Sequence, residues 1–519
     1  MNVLFIWPSL DCPPGINHGL ASLSAALKAR GHATSLIHIS EALWPVPSGE
    51  ELHAEILRRA PDVLAFSATT QQFAWIEKTA AFLRPLLGIP FVIGGVHCTM
   101  APDEVAATGL FDYVCVGEGE DALCELVDRL ARGESCDRCP NMYVCRDGAV
   151  VRNPVGPFPD PAALPPEDYE LFDLARIVGG KDGWMSILTG RGCPFACTYC
   201  FNGEIVARYR RDGALRTVRE YLRRQPVARV LDDIRRLRAG HPEIRTIIFD
   251  DDLFTLDRRY VLEFCEAYRA ADIGLPFVVN AHCLVFTEEM ARALKEAGAR
   301  IVKFGLESGS ERVRLEILNR RMSNAAMIRA VRIANDAGLH SSAFVMFGLP
   351  TETREEALET LRLCAEANVG RFRWAMFYPY PGTAAHAIAA REGLIDPGLL
   401  ASSGNYFEGS CLKFPPEHAL FLDKLARIAP WYVNAAGPFP CRERYAELVA
   451  EIERLPAEEW RARKETVRRE DRALSDELLA AGVPHYSIRF AAVMGVHSDY
   501  VRQELQEQMS AAGGRGAHA

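Results

Sequence analysis

The chain has no stretch of about 18 consecutive apolar residues, so no membrane-spanning helix is expected. Positive charge is in short supply. Lys and Arg number 59 against 68 Asp and Glu, a formal net charge of −9, which argues against a broad nucleic-acid surface. No basic stretch precedes the apolar segment Met1 to Trp7, which runs straight into Pro8. It reads as a first β-strand rather than a secretion signal. A G-x4-GK[ST] phosphate loop is missing, and so is any repeat at solenoid spacing. The fifteen cysteines follow no pairing pattern in so long a chain, which fits a reducing, cytoplasmic setting.

At 519 residues the chain is too long for one core, and about two to four domains are expected. Hydrophobic content of 49% and charged content of 24% are ordinary for a globular protein. Over residues 1–140, short apolar runs alternate with helical patterns. Strands are expected at Val3–Trp7, Thr34–Ile39, Val63–Ser67, Phe91–Gly94 and Tyr113–Val116, and helices at Gly19–Arg30 and Phe73–Leu87. This alternation implies a parallel, doubly wound sheet with helices on both faces. Such sheets bind ligands beyond the carboxyl ends of their strands. The segments there include Ser67 and Thr69, then Gly94, Gly95 and His97, then Gly117, Glu118 and Gly119, where small residues let a backbone approach a large polar ligand.

Pro154, Pro157, Pro159, Pro161, Pro165 and Pro166 break regular structure, so residues 141–183 read as a linker. Residues 184–400 repeat a strand-then-helix unit. The expected strands are Trp184–Thr189, Thr246–Asp250, Phe277–Asn280, Ile301–Gly305, Ser342–Phe347 and Arg373–Phe377. In a barrel, chemistry sits at the carboxyl ends of strands. Those ends carry Asp250-Asp251-Asp252, Asn280, Glu307-Ser308-Gly309 and Glu352. Residues 401–519 read as mainly helical, with helices at His418–Ile428, Arg442–Arg454 and Asp471–Ala481. The small, Gly-rich end from Ser510 to Ala519 is expected to be disordered.

The most informative stretch is Arg191-Gly192-Cys193-Pro194-Phe195-Ala196-Cys197-Thr198-Tyr199-Cys200-Phe201-Asn202. Three cysteines fall at C-x3-C-x2-C in one short loop. A zinc site usually closes with four ligands, and no partner sits nearby. A cubane 4Fe-4S cluster has four irons, so three thiolates leave one iron open to a substrate or cofactor. The spacing, with an aromatic just before the third cysteine, resembles the radical S-adenosylmethionine (radical SAM) family. The resemblance implies that Cys193, Cys197 and Cys200 bind the cluster and that the open iron chelates SAM. Reductive cleavage of SAM then yields a 5′-deoxyadenosyl radical. It also implies a partial (β/α)6 barrel over residues 184–400, and it gives Asp250, Asn280, Glu307 and Ser308 to SAM contact.

The stretches Gly94-Gly95-Val96-His97-Cys98-Thr99 and Gly117-Glu118-Gly119-Glu120, ahead of the cysteine triad, resemble the cobalamin-binding domain of the cobalamin-dependent radical SAM subclass. The resemblance assigns Ser67, Thr69, Gly94, Gly95, His97, Gly117, Glu118 and Gly119 to cobalamin. The D-x-H-x-x-G motif, whose His ligates cobalt from below, is absent. Asp11 is followed by Cys12-Pro13, so base-off cobalamin is expected, with His97 contacting the tail or phosphate.

The implied activity is a methyltransferase that moves a methyl group from SAM, by way of methylcobalamin, to an unactivated carbon of a small-molecule or natural-product substrate. A second SAM would remethylate the cobalamin. An external one-electron reductant of flavodoxin or ferredoxin type would feed the cluster, and no nucleic acid is expected as partner. A cobalamin-dependent cyclase or ring-rearranging enzyme without methyl transfer is the alternative. A non-catalytic cobalamin sensor is disfavoured by the intact triad. Cys136-Asp137-Arg138-Cys139, with Cys145 nearby, resembles half a metal site but lacks a second pair, and reads as ordinary thiols.

Overall fold

The structure, a computed structural model, describes residues 1–402, 409–491 and 495–501. The expected disordered end, Ser510–Ala519, lies outside these residues. The chain divides into two compact units. The first takes Met1–Phe254, Glu266–Phe277 and Pro379–Ala387. The second takes Thr255–Cys265, Val278–Tyr378 and the described residues from Ile388 onward.

The first unit opens with strand β1 (Asn2–Pro8) and continues with helix α1 (His18–Ala29), β2 (Ala33–Ile39), α2 (Gly49–Arg59), β3 (Val63–Ser67), α3 (Thr70–Leu83) and β4 (Phe91–Gly94). The short helices α4 (Val96–Met100) and α5 (Pro102–Ala107) follow, then β5 (Tyr113–Cys115) and α6 (Glu120–Arg132). β1 is apolar without alternation because it is a central parallel strand covered on both faces, and Val3, Leu4, Phe5 and Ile6 are fully buried. Asn17 caps α1 through Leu20 N at 3.1 Å. Ser48 and Glu51 form a reciprocal capping box on α2. The strand order is β2-β1-β3-β4-β5, so the chain reverses direction across the sheet between β1 and β3. An open α/β sheet binds its ligand in the crevice at that point.

The expected linker begins as part of this sheet. β6 (Met142–Arg146) pairs antiparallel with β5, and β7 (Ala149–Arg152) pairs antiparallel with β6. The cause is a two-residue turn, Asp147-Gly148, with both residues at positive φ. That geometry matches strand twist and closes hairpins. No helix or strand forms from Asn153 to Asp168, where the prolines cluster.

After α7 (Leu174–Gly179), β8 (Trp184–Ile187) pairs in parallel with β11 (Thr246–Phe249). Between them lie β9 (Gly190–Arg191), α8 (Phe201–Arg211), β10 (Arg223–Arg224) and α9 (Val227–Gly240). β9 and β10 form a short antiparallel pair that sequence patterning did not suggest. In the second unit, strands β12 (Phe277–Ala281), β13 (Ala299–Glu307), β14 (His340–Phe347) and β15 (Arg371–Met376) run in order, with parallel registers for β13–β14 and β14–β15. Together with β8 and β11 these are the six strands expected of the partial (β/α)6 barrel. The C-terminal region is helical, as in Pro416–Ala436, Arg442–Arg454 and Val467–Ala480. It adds a hairpin, β16 (His485–Ala491) and β17 (Gly495–Val501), whose second strand pairs antiparallel with β15. Among the described residues, no helix is long and apolar enough to cross a membrane.

Candidate cofactor site

The cysteine loop follows β8 and ends where α8 begins. Cys200 is the residue just before α8, and its N–H donates to the Cys197 carbonyl at 3.1 Å. Cys197 is buried, and Cys193 and Cys200 are half-buried. Burial pushes the Cys200 thiol up to about 12, and the nearby Asp252, Cys197 and Cys193 push the same way. Three thiols thus lie close enough to feel one another. Among the described residues, no group of His, Cys, Asp or Glu converges on a single-ion site. A cubane cluster does not ask for that, because each thiolate binds a different iron. The donor set fits a cluster: soft sulfur ligands, three in number, on a loop whose shape is fixed from both sides.

One side of the loop is held by the Asp250-Asp251-Asp252 turn after β11. Gly192 N donates to Asp252 Oδ2 at 3.2 Å, and Asn202 Nδ2 donates to Asp252 Oδ1 at 3.1 Å. The Tyr221 hydroxyl donates to Asn202 Oδ1. Gly192 has φ +94°, and a side chain there would collide with the Tyr221 carbonyl oxygen, so only glycine fits beside Cys193. Asp251 is buried and accepts from Thr189 N at 3.1 Å, Thr189 Oγ1 at 2.7 Å and Arg224 at 2.9 Å. Asp250 is exposed and accepts from the Ser186 hydroxyl at 2.6 Å. Asp250 and Asp252 are both exposed; Asp252 holds the cysteine loop, and buried Asp251 ties Thr189 to Arg224.

The opposite side is held by the β5–α6 turn. Arg191 donates to Glu118 at 2.9 Å and lies 2.7 Å from Glu120, which also accepts from Ser22 Oγ at 2.7 Å. Arg223 also donates to Glu118, at 2.9 Å, and its guanidinium lies over the Phe158 ring at 4.4 Å. Burial opposes the charge on Arg191, but the Glu120 and Glu118 carboxylates outweigh it and raise its pKa. Burial likewise pushes Glu120 up, but Arg191 and the Ser22 hydroxyl win, and its carboxyl is held below the usual range.

Gly117, Glu118 and Gly119, expected at the cobalamin, lie in this turn. A side chain at Gly117 would collide with the Tyr209 hydroxyl of α8, and Glu118 N donates to that hydroxyl at 3.0 Å. These residues join the sheet to the cluster loop. The Glu118 carboxylate accepts from two arginines, Arg191 and Arg223. Sequence reasoning missed Arg191 and Arg223. The available signal was two acidic residues in a ligand-facing turn with an arginine two places before Cys193.

At the β1/β3 crevice, the Asn17 amide donates to Ser67 Oγ at 3.1 Å. Thr69, just before α3, and Gly95, just before α4, are exposed. Gly94 ends β4 and is half-buried. His97 is buried in α4, with its ring centroid 4.3 Å from that of Phe73 and Nδ1 3.3 Å from Thr70 Oγ1. Burial lowers its pKa to about 4, so the ring is neutral. Its Nε2 is buried without a hydrogen-bond partner. A second histidine was not foreseen. His18, the first residue of α1, holds Glu167 at 2.7 Å through Nδ1, and its Nε2 is also buried without a partner.

In the Co(II) state, electron paramagnetic resonance is therefore expected to show no nitrogen coupling from the protein, and His97→Ala should leave the spectrum unchanged. Nitrogen coupling lost in His97→Ala would contradict this. Coupling lost only in His18→Ala would move the lower ligand to His18.

In the second unit, Glu307 ends β13 at φ +65°, where the β13–β14 register shifts between Gly305 and Glu307. Non-glycine residues rarely adopt this conformation, and it turns the buried carboxylate out of strand alternation. Arg320 donates to Gly305 O at 2.6 Å, tying this turn to the segment after it. Ser308 is fully buried. Its hydroxyl accepts from Ser310 N at 3.2 Å, and its carbonyl accepts from Arg314 at 2.8 Å, which is turn chemistry. Asn280 lies half-buried in β12. Glu352 accepts from Gly348 N at 2.8 Å, and burial raises its carboxyl to about 8. Cys136 and Cys139 are buried, and burial raises the Cys139 thiol to about 11.

The Radical SAM superfamily model matches residues 187–364, and the B12 binding domain model matches residues 13–127. Residues 187–364 thus form a radical SAM module, with a B12 binding domain ahead of it. The chain is a radical SAM enzyme whose cofactors are a 4Fe-4S cluster, S-adenosylmethionine and cobalamin. An uncharacterised methyltransferase of Pyrococcus horikoshii is 27% identical over 66% of this chain and 72% of its own length. The anaerobic magnesium-protoporphyrin IX monomethyl ester cyclase of Rubrivivax gelatinosus is also 27% identical, over 73% of this chain and 68% of its own. Among solved structures, the radical SAM methyltransferase TsrM of Kitasatospora setae, with tryptophan substrate and a SAM analogue bound, aligns with a TM-score of 0.60 at 20% identity. The alignment covers 75% of this chain and 76% of that one, and the likeness is one of fold.

Proposed function

We propose that this chain is a cobalamin-dependent radical SAM C-methyltransferase acting on an unactivated carbon of a small-molecule or natural-product substrate. The observation that carries the reading is the C-x3-C-x2-C loop braced, through Arg191, onto the β5–α6 turn of a B12 binding domain within one compact unit. When bound, the cluster and SAM supply hydrogen abstraction and cobalamin supplies the methyl group. The chain's own part is to hold these groups in place and keep water away. Cys193, Cys197 and Cys200 hold the cluster. Ser67, Thr69, Gly94, Gly95 and His97 surround the cobalamin crevice. Asp250, Asn280 and Glu307 serve SAM. An external one-electron carrier of flavodoxin or ferredoxin type supplies the electron. The fifteen cysteines follow no pairing pattern, which suits the reducing cytoplasm that an oxygen-sensitive cluster needs.

Product mass tests the reading. With SAM carrying a deuterated methyl group, the product should gain that methyl intact. A product of changed connectivity with no added carbon would favour the second reading, ring formation without methyl transfer, which the likeness to the Rubrivivax gelatinosus cyclase keeps in view.

Glu307 supports SAM binding in this reading. A hydrogen bond between a carboxylate and a charged donor contributes roughly 1.5–3 kcal/mol. Glu307→Gln is therefore expected to weaken SAM binding about tenfold or more by calorimetry while leaving the iron content unchanged. Unchanged SAM affinity with turnover abolished would give Glu307 a chemical role instead.

A further inference from the structure

The segment Pro379–Ala387, which follows β15 in the chain, belongs to the first unit. Pro379 and Pro381 fix their own φ angles, and Gly382 turns the chain at φ +79°. Thr383 closes the turn. Its hydroxyl donates to the Tyr380 carbonyl at 2.7 Å and accepts from His386 N at 3.2 Å. Two prolines and a threonine bonded on both sides leave this turn little freedom of its own.

The turn is attached on two sides. The Tyr380 hydroxyl accepts from Gln71 Nε2 at 2.7 Å. Gln71 stands in the first turn of α3, next to Thr70, whose hydroxyl meets the His97 ring. At Gly382 the backbone runs so close to α4 that an added Cβ would lie 2.7 Å from the Met100 carbonyl oxygen. On the other side, Ala385 is fully buried, and its N–H donates to the Thr198 carbonyl at 3.0 Å. Thr198 lies between Cys197 and Cys200. The braces already described grip the cysteine loop at Arg191, Gly192 and Asn202, outside the three cysteines, whereas this one reaches between them. One stiff turn thus touches both helices that begin at the cobalamin crevice and the loop that holds the cluster.

We infer that the Pro379–Ala385 turn is a spacer that sets the separation between cobalamin and the cluster, with Tyr380 and Gly382 as its positioning residues. The inference rests on the reading in which this chain carries both cofactors. Reacting groups must be held near contact distance, and a misplacement of about 1 Å can cost on the order of 100-fold in rate. Cobalamin and cluster are held by different elements, so their spacing is only as fixed as the connection between those elements. Tyr380 and Gly382 act through α3 and α4 at one end and through Thr198 at the other, and no group is transferred to or from them.

The test uses the full chain reconstituted with iron, sulfide and cobalamin, in two variants. Tyr380→Phe removes only the hydroxyl that Gln71 bonds, and Gly382→Ala forces the turn away from Met100. Samples are frozen with Co(II) and a reduced, paramagnetic cluster, and pulsed electron paramagnetic resonance reads the relaxation rate of the Co(II) signal. The reduced cluster speeds that relaxation through a dipolar coupling that falls steeply with separation. A displacement of about 1 Å should change the cluster-dependent part of the rate about twofold in each variant. Iron content and cobalamin stoichiometry should stay at wild-type values, and so should the thermal unfolding midpoint of Tyr380→Phe. In the Cys193→Ala/Cys197→Ala/Cys200→Ala background all three chains should relax alike, which a merely local disturbance of the cobalamin crevice would not give. Unchanged relaxation in both variants would overturn the inference. So would a difference that persists without the cluster cysteines, or a loss of cobalamin from Tyr380→Phe. If Gly382→Ala fails to fold, Tyr380→Phe decides alone. A wild type whose Co(II) relaxes equally with and without the cluster cysteines would instead sink the two-cofactor reading beneath the inference.

Discussion

Replacing Cys193, Cys197 and Cys200 together with alanine is expected to take the anaerobically reconstituted chain from about four irons to fewer than one. The three thiols sit on one loop and influence one another. Gly192, Asn202 and Tyr221 fix that loop against Asp252. The brace does not depend on the cysteine side chains, so the variant should fold with unchanged helix content and an unchanged cobalamin stoichiometry. SAM cleavage should fall to background. Iron and sulfide analysis reads the first effect and product chromatography the second. Retention of close to four irons would place the cluster elsewhere, with Cys136 and Cys139 the first candidates.

The second large effect is expected at Arg191. Its guanidinium joins the cluster loop to Glu118 and Glu120, and Glu120 is only 4% exposed. Removing one member of a buried charge pair costs about 3–5 kcal/mol, mostly from stranding the other. Arg191 and Glu118 are each 20% exposed, so Arg191→Ala should cost about 3 kcal/mol, the low end of that range. An earlier first transition in chemical unfolding would report it, together with faster loss of iron to a chelator. Arg191→Met combined with Glu118→Gln and Glu120→Gln leaves no stranded charge and should recover most of the stability.

The pH dependence has a definite sign. The folded-state Glu120 carboxyl lies below its usual range, so its contribution is present above the ordinary carboxylate pKa. It is lost as pH falls through the lowered value. The Arg191→Ala penalty should therefore shrink in acid and be full at neutral pH. A penalty that did not vary with pH would point to lost packing rather than lost charge.

The cysteine loop was legible from sequence because its information is local. Three ligands and their spacing fall within eight residues, and the strand before them is marked by its apolar run. The alternation of strands and helices was legible for the same reason. Central parallel strands such as β1 read as unbroken apolar segments because both faces are covered. The hairpin of β6 and β7 was readable in principle from Asp147-Gly148, but the proline-rich run after it pulled the whole segment toward a connector. The Glu118–Arg191 bridge spans 73 residues and Glu118–Arg223 spans 105. No periodicity or local motif encodes which distant arginine neutralises a given carboxylate. The position of Glu118 between two glycines after a strand pointed to a ligand, and only the structure shows its arginine partners. His18 is hidden in the same way, because its partner Glu167 lies 149 residues away in a segment without regular structure.

The most direct measurement is the fate of SAM on the chain reconstituted with iron, sulfide and cobalamin, supplied with dithionite under anaerobic conditions. The account predicts 5′-deoxyadenosine, formed only with the reductant and absent from the Cys193→Ala/Cys197→Ala/Cys200→Ala variant. SAM recovered intact, or 5′-deoxyadenosine formed equally by that variant, would contradict it.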